Sequence, residues 1–134
     1  MAELATALLI LPDGRLVFQR RDLGIAIAPG MLALFGGHVE SGETAEQAIY
    51  RELAEEISLD TATLTVELMC DYRIRHLERG NEEYHYNLYR TNVPHADFEV
   101  YEGSGAEVYT AEEVLRRDDI TQSTRYAVTK HIGG

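Results

Sequence analysis

The order of hydrophobic and polar residues predicts a succession of short strands in the first third of the chain. Apolar runs at Leu4–Leu11 and Arg15–Gln19 flank the turn sequence Pro12-Asp13-Gly14, so we expect a β-hairpin. The segment 22–30 contains two glycines and a proline and is typical of a loop. A short apolar strand, Met31–Phe35, is expected to follow this loop.

Helical and strand periodicities follow one another in the rest of the chain. A glycine-rich connection, Gly36–Glu43, precedes a helix that begins after Thr44 and ends near Ile57, because Thr44 and Gln47 have the spacing of a capping box. Beyond this helix the sequence predicts an antiparallel pair at Leu64–Tyr72 and Tyr84–Val93 with a turn at Gly80-Asn81, short strands at Phe98–Tyr101 and Val108-Tyr109, and helices at Ala111–Arg117 and Thr124–Ile132.

These elements predict an α/β (α+β) fold in which a mixed β-sheet is sandwiched between α-helices. With 134 residues, of which 45% are hydrophobic and 26% are charged, the chain has the size and composition of one globular domain. We find no repeat or linker that would divide it, and we therefore assign residues 1–134 to a single domain.

The charge balance narrows the classes of partner. A net charge of −11 argues against nucleic acids and anionic membranes, which bind basic surfaces. A phosphate-bearing substrate would need bound cations or local arginines, and Arg20 and Arg21 are our candidate substrate-binding residues. The apolar stretch near the start is too short for a membrane span, and Cys70 has no second cysteine to pair with, so we expect a cytoplasmic protein.

The predicted helix carries acidic residues where core residues are expected. At about 100° per residue, Glu52 and Glu56 point into the apolar stripe of the helix, and Glu55 lies at its edge. That stripe consists of Ala45, Ala48, Ile49 and Leu53. Unpaired carboxylates in such a place need a compensating cation, and three converging acids are suitable ligands for magnesium or manganese. Periodicity alone leaves open a plain amphipathic helix with a solvated acidic face.

The segment from Gly37 to Leu59 resembles the Nudix box, the pattern G-x5-E-x7-R-E-U-x-E-E-x-G-U, in which U is a bulky aliphatic residue. The matching positions are Gly37, Glu43, Arg51, Glu52, Leu53, Glu55, Glu56 and Leu59. Ser58 is a departure, because the family pattern has glycine there. Glycine would suit a left-handed residue at the helix end, which serine adopts less readily, so the ending of the helix is an open point.

The resemblance implies a metal-dependent hydrolase that cuts a diphosphate bond in a nucleoside diphosphate linked to a further group. It assigns magnesium, with manganese as an alternative, to the carboxylates of Glu52, Glu55 and Glu56 and to the carbonyl of Gly36. Arg51 would orient a catalytic glutamate, and Glu43 would hold the box together. The general base is Glu55 in our first interpretation, with two late acids, Glu102 and Glu107, as alternatives.

Other functions remain open beside this one. The same fold could form a module that binds a nucleotide or sugar nucleotide without cleaving it, or an isomerase, although the complete set of box acids favours hydrolysis. The histidines have no compact metal spacing, which makes zinc improbable. A proline that marks some ADP-ribose-cleaving relatives is missing, so nucleoside triphosphates and sugar nucleotides are the better substrate candidates. The family also suggests a homodimer.

Overall fold

The computed structural model describes residues 2–76 and 80–133 of the chain. Within these ranges, seven strands form one mixed β-sheet. The strands are β1 (Ala2–Ile10), β2 (Leu16–Arg20), β3 (Leu32–Ala33), β4 (Phe35–His38), β5 (Val66–His76), β6 (Glu82–Asn92) and β7 (Ala106–Tyr109). No helix in the described ranges is long and apolar enough to cross a membrane.

The helices of the described ranges are α1 (Ala45–Glu56), α2 (Ala111–Leu115) and α3 (Gln122–Gly133), and a single 3-10 turn follows α1 at Thr61–Thr63. Helix α1 begins as predicted, because the Thr44 side chain accepts a hydrogen bond from the Gln47 amide and the Gln47 side chain accepts one from the Thr44 amide. The predicted helices near the C-terminus are also confirmed.

Strand β1 organises the sheet because three strands pair with it. One edge is parallel to β6 along the whole of β1. The opposite edge is shared by two antiparallel strands: β4 pairs with residues 4–7 and β2 with residues 9–10. The sheet therefore divides on one side of β1, and β2 continues away from β4 to pair with β3 and β7.

This division corrects two sequence predictions. The single strand predicted at Met31–Phe35 is two strands, because the chain changes partner at Leu34, from β2 to β1. The predicted connection Gly36–Glu43 is also wrong at its beginning, since residues 36–38 complete β4. Local hydrophobic periodicity predicts neither of these features, because both depend on pairing with residues far away in the sequence.

The two faces of the sheet are covered by different helices. Successive strand residues point to opposite faces, and Ala5 and Ala7 of β1 pack with Ile49 and Leu53 of α1. On the other face, Leu8 belongs to the core formed with α2 and α3. The predicted arrangement of a mixed sheet between helices is confirmed.

The second half of the chain follows the prediction with one exception. Strands β5 and β6 form the expected antiparallel pair, and Gly80 and Asn81 have the positive φ angles of a tight turn. The strand predicted at Phe98–Tyr101 is wrong: in this segment only Val100 forms a bridge, with Ile57. The apolar character of this segment reflects core packing and not a strand: Phe98 is buried, and its ring centroid lies 6.4 Å from that of Phe35.

Candidate active site

The most deeply buried acid of the candidate site is Glu56, at the end of α1. Its side chain is only 2% exposed, and its Oε1 accepts a hydrogen bond of 2.9 Å from the Gly36 amide. Burial, together with the nearby negative charges of Glu52 and Glu102, raises the pKa of Glu56 to about 8. The buried carboxyl group of Glu56 therefore needs either a proton or a cation.

Glu52 lies one turn earlier and directly beside β4. A Cβ atom at Gly37 would lie 2.5 Å from Glu52 Oε1, so the absence of a side chain at Gly37 makes room for the carboxylate. Burial raises the pKa of Glu52, and the charge of Arg51 opposes this shift. Gly36 is restricted for another reason, since its φ is +137° and a Cβ there would lie 2.1 Å from the carbonyl oxygen of Ala5.

Arg51 connects the acids of the site to the loop before α1. Its guanidinium forms two hydrogen bonds with Glu43, of 2.7 and 3.0 Å, and donates to the carbonyl oxygen of His38 at 3.0 Å. Hydrogen bonding from Arg51 lowers the pKa of Glu43 to about 2. Nη1 of Arg51 also reaches Glu52 at 3.0 Å and Glu55 at 3.3 Å.

The donor set fits a hard divalent cation in its chemistry. Glu52, Glu55 and Glu56 offer carboxylate oxygens, which magnesium and manganese prefer, and the buried Glu56 has an excess of negative charge around it. In the described ranges, no group of three acidic, histidine or cysteine side chains is already arranged to hold a metal ion. In this structure Glu52 and Glu55 are ion-paired with the Arg51 guanidinium.

Glu102 approaches the acids from a different part of the chain, and its negative charge contributes to the raised pKa values of Glu52 and Glu56. The other late acid, Glu107, lies in an ion pair with Arg20, which lowers its pKa. Glu102 is therefore the late acid that accompanies the α1 carboxylates.

The two arginines proposed for substrate binding have different surroundings. The guanidinium of Arg20 donates to Glu107 at 2.6 and 2.7 Å, to Asp119 at 2.8 Å and to the carbonyl of Gly30 at 3.1 Å. These bonds join β2 to β7 and to the chain before α3, so the contacts of Arg20 are structural. Arg21 is partly exposed, as Arg20 is, and its side chain donates to the carbonyl of Ile27 at 3.1 Å.

A cavity adjoins the two glycines on the sheet face opposite α1. Gly36 and Gly37 form part of its wall together with Arg21. Its other lining includes Thr6 of β1, Gln19 of β2, His76 of β5, Tyr86 of β6 and residues 121–123 at the start of α3. The cavity is therefore adjacent to the acid site, and polar side chains from four strands line it.

Sequence patterns missed most of this cavity. Gln19 and His76 are polar side chains that are 6% and 3% exposed, in strands whose buried residues are otherwise mainly apolar. Gln19 donates to the carbonyl of Leu34 at 2.9 Å, and His76 lies 2.7 Å from the hydroxyl of Tyr86. Gln19 was the last residue of a predicted strand and His76 lay beyond the end of another, so the sequence could not indicate that either residue lines a cavity.

Comparisons with known proteins agree with this fold. The chain is 46% identical over 57 residues to an uncharacterized Nudix hydrolase of Nostoc sp., a match that covers 42% of this chain and 34% of that relative, about a third of its length. The fold resembles the MutT protein of Methanosarcina mazei Go1 (TM-score 0.81, 17% identity, 96% of this chain and 91% of that one). It also resembles the dihydroneopterin triphosphate pyrophosphohydrolase of E. coli (TM-score 0.79, 20% identity, 98% and 96%). Because the NUDIX domain family matches residues 2–130, nearly the whole chain, this protein belongs to that family.

Proposed function

We propose that this protein is a hydrolase that cleaves a diphosphate bond in a nucleoside diphosphate linked to another group, with magnesium or manganese as its cofactor. The observation that carries the proposal is the buried Glu56, which is 2% exposed and lies beside Glu52 on the same face of α1. A helix that needed these acids only for solubility would expose both of them. Membership of the NUDIX domain family supports the same activity.

In this proposal Glu52, Glu55 and Glu56 hold the metal ions, and the carbonyl of Gly36 is a further ligand. A bound divalent ion offsets the charge of the diphosphate and favours ionisation of the attacking water. Glu52 and Glu55 would hold the ion in place of their present bonds to Arg51, whose two bonds to Glu43 fix the guanidinium against the loop before α1.

We propose Glu55 as the general base that takes the proton from the attacking water. Its side chain is 56% exposed, so water can reach it, whereas Glu56 is enclosed. Glu102 is the alternative base, because it comes close to the acids from a separate loop. Both can be tested by the same substitution to glutamine, which keeps the shape of the side chain and removes the basic oxygen.

The group attached to the diphosphate would enter the cavity behind Gly36 and Gly37. Its mixed polar and apolar lining suits a heterocycle or sugar. Nucleoside triphosphates, including oxidised ones, and sugar nucleotides are the proposed substrates. The dihydroneopterin triphosphate named for one structural neighbour adds a pterin triphosphate to the compounds worth testing. Arg21 lines this cavity and is the better placed of the two arginines for substrate contact.

Hydrolysis of a panel of these compounds tests the proposal, measured by chromatographic separation of the phosphorylated products with magnesium, with manganese and with a chelator. Glu55→Gln and Glu56→Gln are compared with the native chain, and Glu46→Gln is a matched control because Glu46 is an exposed acid of the same helix. We expect metal-dependent turnover that both site variants lose by about two orders of magnitude or more and the control retains. Binding of nucleotides without cleavage of any compound would favour a nucleotide-binding module instead.

The remaining predictions about the whole protein are not tested by the fold. We propose a single domain over residues 1–134, a small-molecule nucleotide-like substrate, no nucleic-acid partner and a cytoplasmic location. A homodimer also stays a prediction.

A further inference from the structure

The connection between β6 and β7 carries Glu102 to the candidate site with little regular structure of its own. Residues 93–105 lie between these strands, and Val100 forms the one bridge in this described segment. The segment from 99 to 105 is largely exposed at the surface. A loop of this kind places an acid reproducibly only if it is bonded to a rigid element on each side.

On one side of Glu102, the loop is bonded to the end of α1. The Ser58 amide donates to the carbonyl of Glu99 at 3.0 Å, and the Glu99 amide donates to Oγ of Ser58 at 2.8 Å. The Tyr101 amide then donates to the carbonyl of Glu56 at 2.8 Å. Three hydrogen bonds therefore join the residues immediately after the α1 acids to the residues immediately before Glu102.

On the other side of Glu102, the loop is bonded to β2. Gly103 has a φ of +73°, and a Cβ atom there would lie 2.2 Å from the carbonyl oxygen of Arg20, so only glycine allows this approach. The Ser104 amide donates to the same carbonyl at 2.8 Å. Glu102 and Gly103 thus lie between two attachments, one at Tyr101 to α1 and one at Ser104 to β2.

We propose that Ser58 is a positioning residue that holds Glu102 at the metal-binding acids. Ser58 occupies the place where the family pattern has glycine, and a glycine could keep the backbone bond to Glu99 but could not accept from its amide. Ser58 and Ile57 are not among the described residues with positive φ, and Ile57 has an extended conformation (φ −131°, ψ 156°). The chain after α1 therefore continues directly into the pairing of Ser58 with Glu99, and no left-handed residue is needed to end the helix.

This inference rests on the proposed function for its effect on catalysis but not for its effect on the loop. In the native chain, the exchange of two hydrogen bonds between Ser58 and Glu99 fixes the position of Glu102 relative to Glu56. Loss of the hydroxyl leaves the backbone bonds in place and lets the loop sample other positions. An exposed hydrogen bond of this kind corresponds to roughly a two- to tenfold change in an equilibrium.

The test compares Ser58→Ala and Ser58→Gly with Ser58→Thr, which restores the hydroxyl. Thr63→Ala is the matched control, because the Thr63 hydroxyl donates to the carbonyl of Asp60 at 2.6 Å, within the turn after the same helix. Three quantities are measured for each variant: amide hydrogen exchange at Glu99 and Tyr101, the affinity for Mn²⁺ without substrate, and kcat and KM with the best substrate of the panel.

We expect Ser58→Ala and Ser58→Gly to exchange these amides faster, and to lose roughly two- to tenfold in Mn²⁺ affinity and kcat with little change in KM. Ser58→Thr and the control should stay near the native values. In a Glu102→Gln background, Ser58→Ala should have no further effect on kcat or on Mn²⁺ affinity. Native exchange rates in Ser58→Ala, or an equal additional loss in the Glu102→Gln background, would overturn the inference. Absence of any metal-dependent turnover in the native chain would refute the proposed function, while the exchange rates would still decide the role of Ser58.

Discussion

Glu56→Gln tests whether burial of this carboxylate is costly, because it removes the charge and keeps an oxygen that can accept from the Gly36 amide. Burial raises the pKa of Glu56 from its ordinary value of 4.5 to about 8. Between these two pH values the folded chain binds a proton that the unfolded chain has already released. The free energy of unfolding must therefore fall as the pH rises, since the unfolded state binds fewer protons.

The size of this effect follows from the width of the interval. One pKa unit corresponds to about 1.4 kcal/mol, so the full shift sets an upper bound of about 5 kcal/mol on the stability lost by the native chain. The contribution is fully present below about pH 4.5, decreases through neutral pH and is lost above about pH 8. The pKa of Glu43 is lowered to about 2, so Glu43 does not contribute to the pH dependence of stability in this window.

Urea unfolding at several pH values between 5 and 8.5, in chelator, measures this dependence. The native chain should lose more stability across the window than Glu56→Gln, and the difference between the two chains isolates the contribution of Glu56 from that of every group they share. With magnesium the native chain should regain stability at pH 8, and the variant should gain much less, because a cation replaces the proton. Equal pH slopes for the two chains in chelator would refute the reasoning about burial.

Four further substitutions separate the other roles. Gly36→Ala should lower the free energy of unfolding by more than about 2 kcal/mol, because its Cβ would collide with the backbone of β1. Gly37→Ala should weaken Mn²⁺ binding with a smaller loss of stability, because its Cβ would meet only the movable Glu52 carboxylate. Denaturation and Mn²⁺ titration distinguish the two variants. Arg51→Lys should reduce kcat at least tenfold, since lysine cannot form the paired bonds to Glu43. Arg20→Met should lower thermal stability and leave KM within about twofold, and a large rise in KM would show that Arg20 binds substrate instead.

Nearly all features of helix α1, which carries the acids, could be predicted from the sequence. The capping residues of α1, its apolar stripe and the inward direction of Glu52 and Glu56 all follow from local spacing, and the structure agrees with each of them. Local rules succeed here because helix periodicity and capping depend only on neighbours within four residues.

What the sequence could not predict depends on contacts between distant residues. The change of strand partner at Leu34 and the cavity wall need the assembled sheet. The ion pair of Arg20 with Glu107 joins residues 87 positions apart, so an arginine that suggested phosphate binding proved to be bonded within the fold. The conformation after α1 was likewise undetermined, because Ser58 is stabilised there by Glu99, 41 positions later.

The two glycines of β4 lie between the acid helix on one face of the sheet and the cavity on the other. If the protein acts as proposed, bond cleavage and recognition of the attached group are assigned to separate sets of side chains that hardly share a residue. Selection can then exchange Gln19, His76 or Tyr86 and change which metabolite is accepted, while the acids that cleave it stay as they are. The same independence makes this chain a practical starting point for engineering, because a library confined to the cavity would alter the choice of substrate without rebuilding the metal site.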